Sequence, residues 1–384
     1  MNIAIINVVG VEGSTGKLAT NLAKRFILQG HNCKVFHGRG KKSRDGVHVK
    51  QGCFFDNAVH YLVARRTGKE GYYSTYFTKR IIKKVSVFKP DRIIILNLHG
   101  HWMNIPLFLN EVAKMNVTID WFMCDEFPYT ARCEYTNGCD GYKNCCRDCP
   151  RYKNAGIQYR EKEEYYRKLV DKTNFSSVQY IVERAKGSSL LRNARFAYKN
   201  TGIDTEFYHP TEDKFREKHN IAKNKIILLD VAPFSNPRKG VKMFLDAARM
   251  LASDEKYLFI NVGYDGKTAV ELPNFMTIPY VSDQEELREI YSAADMYICT
   301  SVEDALPNAC VEAMSCGTPI TAFNISGMPY LAEYPVLTLL DSVSAESIVA
   351  AVRNSKRKNR EIIELCRSEA IEKYEFTKFS DSFL

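Results

Sequence analysis

The chain has 384 residues with 45% hydrophobic and 26% charged content, which excludes a low-complexity or disordered protein and suits two globular cores better than one. No apolar run reaches the ~20 residues of a membrane-crossing helix, and residues 1–9 are too short to read as a leader, so a cytoplasmic protein is expected. The formal charge of +9 hides an asymmetry: residues 1–200 hold 34 Lys and Arg against 17 Asp and Glu, net +17, and the remainder holds 20 against 28, net −8. The basic half is the one expected to meet an anionic partner. Its bases are spread along the chain and form no recognition element, which argues against nucleic acid and leaves an anionic membrane surface as the expected partner.

In chain order, residues 2–9 are rich in Ile and Val and read as a central strand. Residues 10–16, G-V-E-G-S-T-G, form a glycine-rich turn before a helix over 17–29 that Gly30 ends. The spacing fits neither the dinucleotide fingerprint nor a phosphate-binding Walker loop, in which Ser or Thr would replace Leu18. Residues 53–90 hold two helical stretches, the second over 76–88. Arg65, Arg66, Lys69, Lys79, Arg80, Lys83, Lys84 and Lys89 are interleaved there with Tyr72, Tyr73, Tyr76, Phe77, Ile81 and Ile82. Such a mixture suits a membrane interface, or simply a solvated helix face.

A buried strand over 91–98 leads to His99, Gly100, His101 and Trp102, then to a helix from Asn104. Another strand over 117–124 ends at Cys124, Asp125 and Glu126. Five cysteines follow within seventeen residues: Cys133, Cys139, Cys145, Cys146 and Cys149. Without an export signal, thiols or metal are expected before a disulfide framework. Four of them ending in C-x-x-C can close a tetrahedral zinc site, with disulfides or free thiols as the alternatives. Residues 160–172 read as a charged helix, 177–182 as a strand, 183–191 as a helix and 196–198 as the start of an exit from the first domain.

The second half begins afresh with a strand over 225–231, a loop over 233–240 containing Arg238 and Lys239, and a helix over 241–251. Strands at 257–262 and 276–278 and a helix over 283–291 follow, and helical segments are expected from Tyr330 to the end. The alternation predicts an α/β protein with parallel sheets. Residues 296–299 form a buried strand. After it come the acidic loop with Glu303 and Asp304, a helix over 309–315 stopped by Gly317, and a strand over 319–323. Ligands of open parallel sheets bind beyond the carboxyl ends of strands, where this helix would aim its positive N-terminal end.

Asp304, Leu306, Pro307, Asn308, Glu312, Ala313, Met314, Cys316, Gly317, Thr318 and Pro319 together resemble the donor-site signature of family-4 glycosyltransferases. In that signature an acid, seven intervening positions and a Glu precede A-M-x-C-G-T-P. Residues 13–16 resemble the N-terminal loop of the same family and residues 90–105 its sugar-acceptor side, and the cysteine segment resembles that of its capsule, colanic-acid and O-antigen polysaccharide subgroup. The resemblance implies the GT-B fold: two Rossmann-like, doubly wound parallel-sheet domains facing a central cleft, with a cysteine-rich insertion in the first. Residues 1–205 would be the acceptor domain, with the insertion at about 124–152. Residues 206–366 would be the nucleotide-sugar domain, and 367–384 a helix returning to the first.

The implied activity is retaining transfer of a sugar from a UDP- or GDP-sugar to a saccharide or lipid-linked acceptor, without a catalytic metal, on the inner face of the plasma membrane. Glu312 would hold the ribose hydroxyls, and Asp304 the sugar hydroxyls. The amides near Leu306, Pro307 and Asn308 would meet the sugar or phosphate. Lys239 with Arg238 would carry the diphosphate, although Pro233 stands where relatives place an Arg. Gly16 would lie in the loop approaching the donor. Asp125 is retained on the acceptor side, but Cys124 replaces the usual His. Catalytic weight thus falls on Asp304, Asp125 and Lys239, and zinc on Cys133, Cys139, Cys146 and Cys149. A sugar-nucleotide hydrolase or epimerase, or a non-catalytic zinc-dependent binding protein, are the alternatives.

Overall fold

The computed structural model describes residues 1–212, 214–267 and 270–384. Contacts divide the chain into Met1–Lys199 with Ser380–Leu384, and Asn200–Phe379. The sequence reading put the division near residue 205 and returned all of 367–384 to the first unit. In the structure only the last five residues join it.

The first unit is a seven-stranded parallel sheet, ordered β3-β2-β1-β4-β5-β6-β7. Its strands are β1 (Asn2–Ile6), β2 (Asn32–His37), β3 (His48–Lys50), β4 (Arg92–Ile95), β5 (Thr118–Phe122), β6 (Thr173–Ser177) and β7 (Arg195–Tyr198). Ile3 to Ile6 and Ile93 to Ile95 are fully buried. That is why they read as unbroken apolar runs: both faces of a parallel sheet are covered by helices. Those helices are α1 (Gly13–Leu28), α2 (Phe54–Thr67), α3 (Thr75–Phe88), α4 (Ile105–Val112), α5 (Ala155–Tyr166) and α6 (Gln179–Lys186).

Two expectations fail here. Residues 177–182, expected as a strand, are the end of β6 and the start of α6. The real strand, T-N-F-S-S, is polar in composition but buried between β5 and β7. The apolar residues taken for it, Val178, Ile181 and Val182, have helical spacing and line the buried face of α6 or its N-terminus. The short β2 and β3 carry Asn, Lys and His among their apolar residues and gave no signal.

The second unit has a six-stranded parallel sheet, ordered β10-β9-β8-β11-β12-β13. Its strands are β8 (Ile226–Val231), β9 (Tyr257–Tyr264), β10 (Phe275–Pro279), β11 (Met296–Cys299), β12 (Ile320–Phe323) and β13 (Leu337–Leu340). β13 corrects the expectation of helix alone beyond Tyr330. It is a half-buried edge strand paired only with β12, too short to stand out between helices. The helices are α7 (Lys214–Lys218), α8 (Val241–Met250), α9 (Gln284–Ala293), α10 (Asn308–Ser315), α11 (Ala345–Arg353), α12 (Arg360–Tyr374) and α13 (Phe376–Asp381).

α12 explains the position of the division. It buries Cys366, Ala370 and Tyr374 in the same core as Cys310, Ala313 and Met314 of α10, and the Tyr374 hydroxyl donates to Leu331 O at 2.5 Å. Ile203 bridges to Glu375. The segment is therefore held within the second unit almost to its end.

Each sheet reverses its strand order once, between β1 and β4 and between β8 and β11. The loops leaving those strands diverge to opposite faces and open a crevice at the carboxyl edge.

Candidate active site

The loops after β8 and β11 meet at the second unit's reversal point. Thr300, fully buried at the end of β11, donates its hydroxyl to Lys239 O at 2.8 Å, and Val302 N donates to Arg238 O at 2.9 Å. Gly240 makes this approach possible: its φ is +67°, and a Cβ there would lie 2.0 Å from Thr300 O. From the other side Gly327 N donates to Asp304 O at 2.9 Å, and a Cβ on Gly327 would lie 1.8 Å from Ala305 O. The acidic loop is thus gripped by two glycines.

Asp304 emerges from that grip as a paired carboxylate. Its Oδ2 takes Lys239 Nζ at 2.7 Å and Arg238 Nη1 at 3.1 Å, and Arg238 also donates to Glu303 O. The three side chains are largely but not fully enclosed. Glu303, which the sequence left as a bystander, is only 4% exposed. The loop runs through Leu306 and Pro307 into α10, whose N-terminus has no side-chain cap. Its first amides and positive end are left to a ligand.

Glu312, one turn into α10, accepts from the Tyr291 hydroxyl at 2.8 Å. Burial, and then the neighbouring Glu312 charge, push the Tyr291 phenol well above its usual range, so it stays a donor that fixes the carboxylate. Behind the loop after β8, Asn261 donates to Asp230 Oδ2 at 3.0 Å and Ala232 O at 3.1 Å. Asp230 is held well above the ordinary carboxylate range, chiefly by burial. The Asp230–Asn261 pair was missed in the sequence. Gly327, in S-G-M-P, left a trace there, and Tyr291 stands in the family-like stretch V-x-D-x-x-x-L-x-x-x-Y-x-x-A-D over 281–295 with no role assigned to it.

In the first unit the carboxyl edge carries a different cluster. Asp125 Oδ2 accepts from His99 Nε2 at 2.7 Å and Asn97 Nδ2 at 3.2 Å, while Oδ1 takes Phe127 N at 3.0 Å. The other His99 nitrogen lies 2.8 Å from Glu134 Oε1. Burial alone would depress the His99 pKa, but Asp125 and Glu134 outweigh it and lift it to about 10. His99 is an imidazolium between two carboxylates.

One ligand atom each of Glu70, His99 and Glu134 lies within 4.8 Å of the others. With His99 protonated, its charge between the two carboxylates holds these loops together. Cys124 turns its thiol to Phe122 O at 3.7 Å, and burial raises it well above its usual range. The imidazole missing at 124 therefore reaches Asp125 from the loop after β4. Gly16, expected to face a ligand, lies buried in the first turn of α1, where a Cβ would sit 3.0 Å from the Val11 carbonyl carbon. It serves close packing of helix on loop.

The cysteines of the insertion are free thiols. Burial and the neighbouring Cys149, Cys146 and Cys139 push the Cys133 thiol up to about 12, so the four share one neighbourhood. Gly141 N donates to Cys139 Sγ at 3.3 Å and Tyr152 N to Cys149 Sγ at 3.4 Å. Among the described residues no three of the four sulfurs lie within 4.8 Å of one another.

Residues 211–367, nearly all of the second unit, match the family model described as glycosyl transferases group 1. The chain is 23% identical over 353 residues to WcaC of Escherichia coli (strain K12), a glycosyl transferase assigned to colanic acid biosynthesis, covering 84% of this chain and 83% of the relative. Among solved structures, a glycosyltransferase from Rickettsia africae ESF-5 superposes with a TM-score of 0.70 at 14% identity, over 99% of this chain and 96% of that one. Anabaena HepE, solved in complex with UDP-glucose, superposes with a TM-score of 0.65 at 14% identity, over 100% and 98%. With two parallel-sheet units of this order and the acidic loop set at the second unit's reversal point, the chain is a glycosyltransferase of the GT-B fold, and its residues 211–367 form a glycosyl transferase group 1 domain.

Proposed function

We propose that the chain is a retaining transferase that moves a sugar from a uridine or guanosine diphosphate sugar to a lipid-linked saccharide during surface polysaccharide synthesis. The observation that carries this reading is the pairing of Asp304 with Lys239 and Arg238 beside the uncapped start of α10. A diphosphate brings negative charge to the two cations that Asp304 now neutralises. On binding, the cations turn to the phosphates and Asp304 is released toward the sugar hydroxyls. Glu312, oriented by Tyr291, accepts from the ribose hydroxyls. Lys239 and the α10 amides then stabilise charge building on the leaving phosphate.

In this reading Asp125, held by His99 and Asn97, lines the acceptor side. The bond from the anomeric carbon to phosphate breaks while the acceptor oxygen bonds on the same face. The departing phosphate oxygen takes the acceptor proton. No paired carboxylates of the glycosidase kind are required. The basic first half, and the absence of any helix long and apolar enough to cross a membrane among the described residues, favour work at the inner face of the plasma membrane from the cytoplasm.

The test is incubation with UDP- and GDP-sugars and a lipid-linked acceptor, scored by nucleoside diphosphate release and by the anomeric configuration of the product. An inverted product sinks retention, and no release from any donor sinks the donor assignment.

Cys133, Cys139, Cys146 and Cys149 are the residues that would hold a structural zinc. Their thiols fit its chemistry, and the two N–H to sulfur bonds suit thiolates. Closure requires the sulfurs to draw together. One zinc per chain by elemental analysis, lost in Cys146→Ser, is expected, whereas metal-free protein of full stability would exclude it.

A further inference from the structure

We propose that a groove in the first unit, between α3 and the edge formed by β2 and β3, docks onto anionic phospholipid headgroups of a membrane. The inference rests on the reading above only for the lipid-linked acceptor that would be met there. The groove encloses about 790 Å³. Its walls carry four cations, Lys34, Arg80, Lys83 and Lys84, and its lining holds no acidic side chain; Phe36 and Phe88 are part of the same lining.

Two of the cations are held against aromatic faces and not by carboxylates. Lys34 Nζ lies 5.3 Å from the centre of the Phe88 ring, and the Arg80 guanidinium 5.7 Å from that of Tyr76, whose hydroxyl it also meets at 3.1 Å. Their charge therefore remains available to phosphate oxygens.

What separates a membrane from a soluble polyanion is the apolar surface beside these cations. Tyr76 and Val87, in the groove wall, are 63% and 74% exposed. Arg80 Nε donates to Gln51 at 3.0 Å, and three residues on, at the start of α2, Phe54 and Phe55 are 89% and 76% exposed. A nucleic acid would neutralise the cations and leave these rings in water. A bilayer interface accepts both, cations at the phosphates and rings at the headgroup boundary.

Vesicle co-sedimentation of the full chain tests this, with phosphatidylcholine alone and with added phosphatidylglycerol. Binding is expected only to the anionic vesicles and to weaken with salt. Each basic residue at such a surface contributes about 1 kcal/mol, so Lys83→Ala with Lys84→Ala should weaken binding by about thirtyfold. Phe54→Ala with Phe55→Ala should weaken it independently. Both double variants should keep the wild-type thermal shift with UDP- or GDP-sugars, which separates loss of docking from failure of the donor site. Absent or charge-independent vesicle binding, or vesicle binding unaltered in the lysine variant, overturns the proposal. So does lysine-dependent binding to a DNA duplex without vesicle binding.

Discussion

The two units share a design and differ in what they place at its functional edge. Both are parallel sheets with one reversal of strand order, and both carry their charged clusters in the loops leaving the strands beside it. In the second unit two cations close on one carboxylate, Asp304. In the first, two carboxylates close on one cation, His99. The second arrangement can exchange its carboxylate for a phosphate with little change in local charge. The first keeps negative charge in excess around a cation already paired on both sides, and is better suited to fixing groups than to capturing anions. In the proposed reading, one sheet architecture serves donor capture and rigid positioning by reversing which sign is in excess.

The largest expected effect tests the exchangeable half. Lys239→Ala removes a cation aimed at developing phosphate charge, and should lower kcat by about 10²–10³-fold, as for other preorganised electrostatic donors. Asp304→Ala should weaken sugar selection and leave nucleoside diphosphate affinity intact or improved, since it frees both cations. Titration calorimetry with UDP or GDP measures the second effect. Lost diphosphate affinity in Asp304→Ala would show that the carboxylate organises the cations and does not compete for them.

The same contrast explains what the sequence could show. The acidic loop was readable as a strand-loop-helix because Asp304, Pro307, Asn308, Glu312 and Gly317 fall within one stretch, where spacing alone sets neighbourhood. The burial of Glu303, the Tyr291 bond to Glu312 and the contact of Gly327 with Ala305 join separate stretches and left no local pattern. In the first unit almost everything is of that second kind. His99, Asp125 and Glu134 come from the loop after β4, the end of β5 and the cysteine segment. A lone histidine after a strand therefore gave no hint that both its nitrogens were engaged. Gly16 carries a packing demand that the turn did not reveal: a Cβ there would lie 3.0 Å from the Val11 carbonyl carbon.

A third prediction sharpens the rigid half. The His99 pKa is raised to about 10 from an unfolded value near 6.5. Its proton therefore contributes stability fully below about pH 6.5, and that contribution is lost as pH rises toward 10. His99→Gln leaves two carboxylates facing each other without the intervening cation, and should cost roughly 3 kcal/mol at neutral pH. The wild type should lose this advantage between pH 7 and 10. Thermal denaturation at pH 6.5, 8 and 9.5 reads the difference, and parallel curves for the two proteins would mean that the imidazolium is not what joins these loops.

The smallest effect is expected where the sequence seemed to promise the largest. Cys124 stands in the place of the family histidine, which makes it look like a catalytic loss. Its thiol is turned inward to Phe122 O and kept neutral by burial, while Asp125 already has an imidazole partner in His99. Cys124→Ala removes one weak sulfur contact and should leave kcat/KM within about threefold of wild type, since threefold is ~0.6 kcal/mol. A steady-state comparison with the His99→Gln enzyme then assigns the role of the missing imidazole. If His99→Gln is severely impaired and Cys124→Ala is not, position 99 has taken over the orientation of Asp125. If Cys124→Ala is the impaired enzyme, the thiol itself meets substrate, and the first unit differs from the second in chemistry as well as in charge.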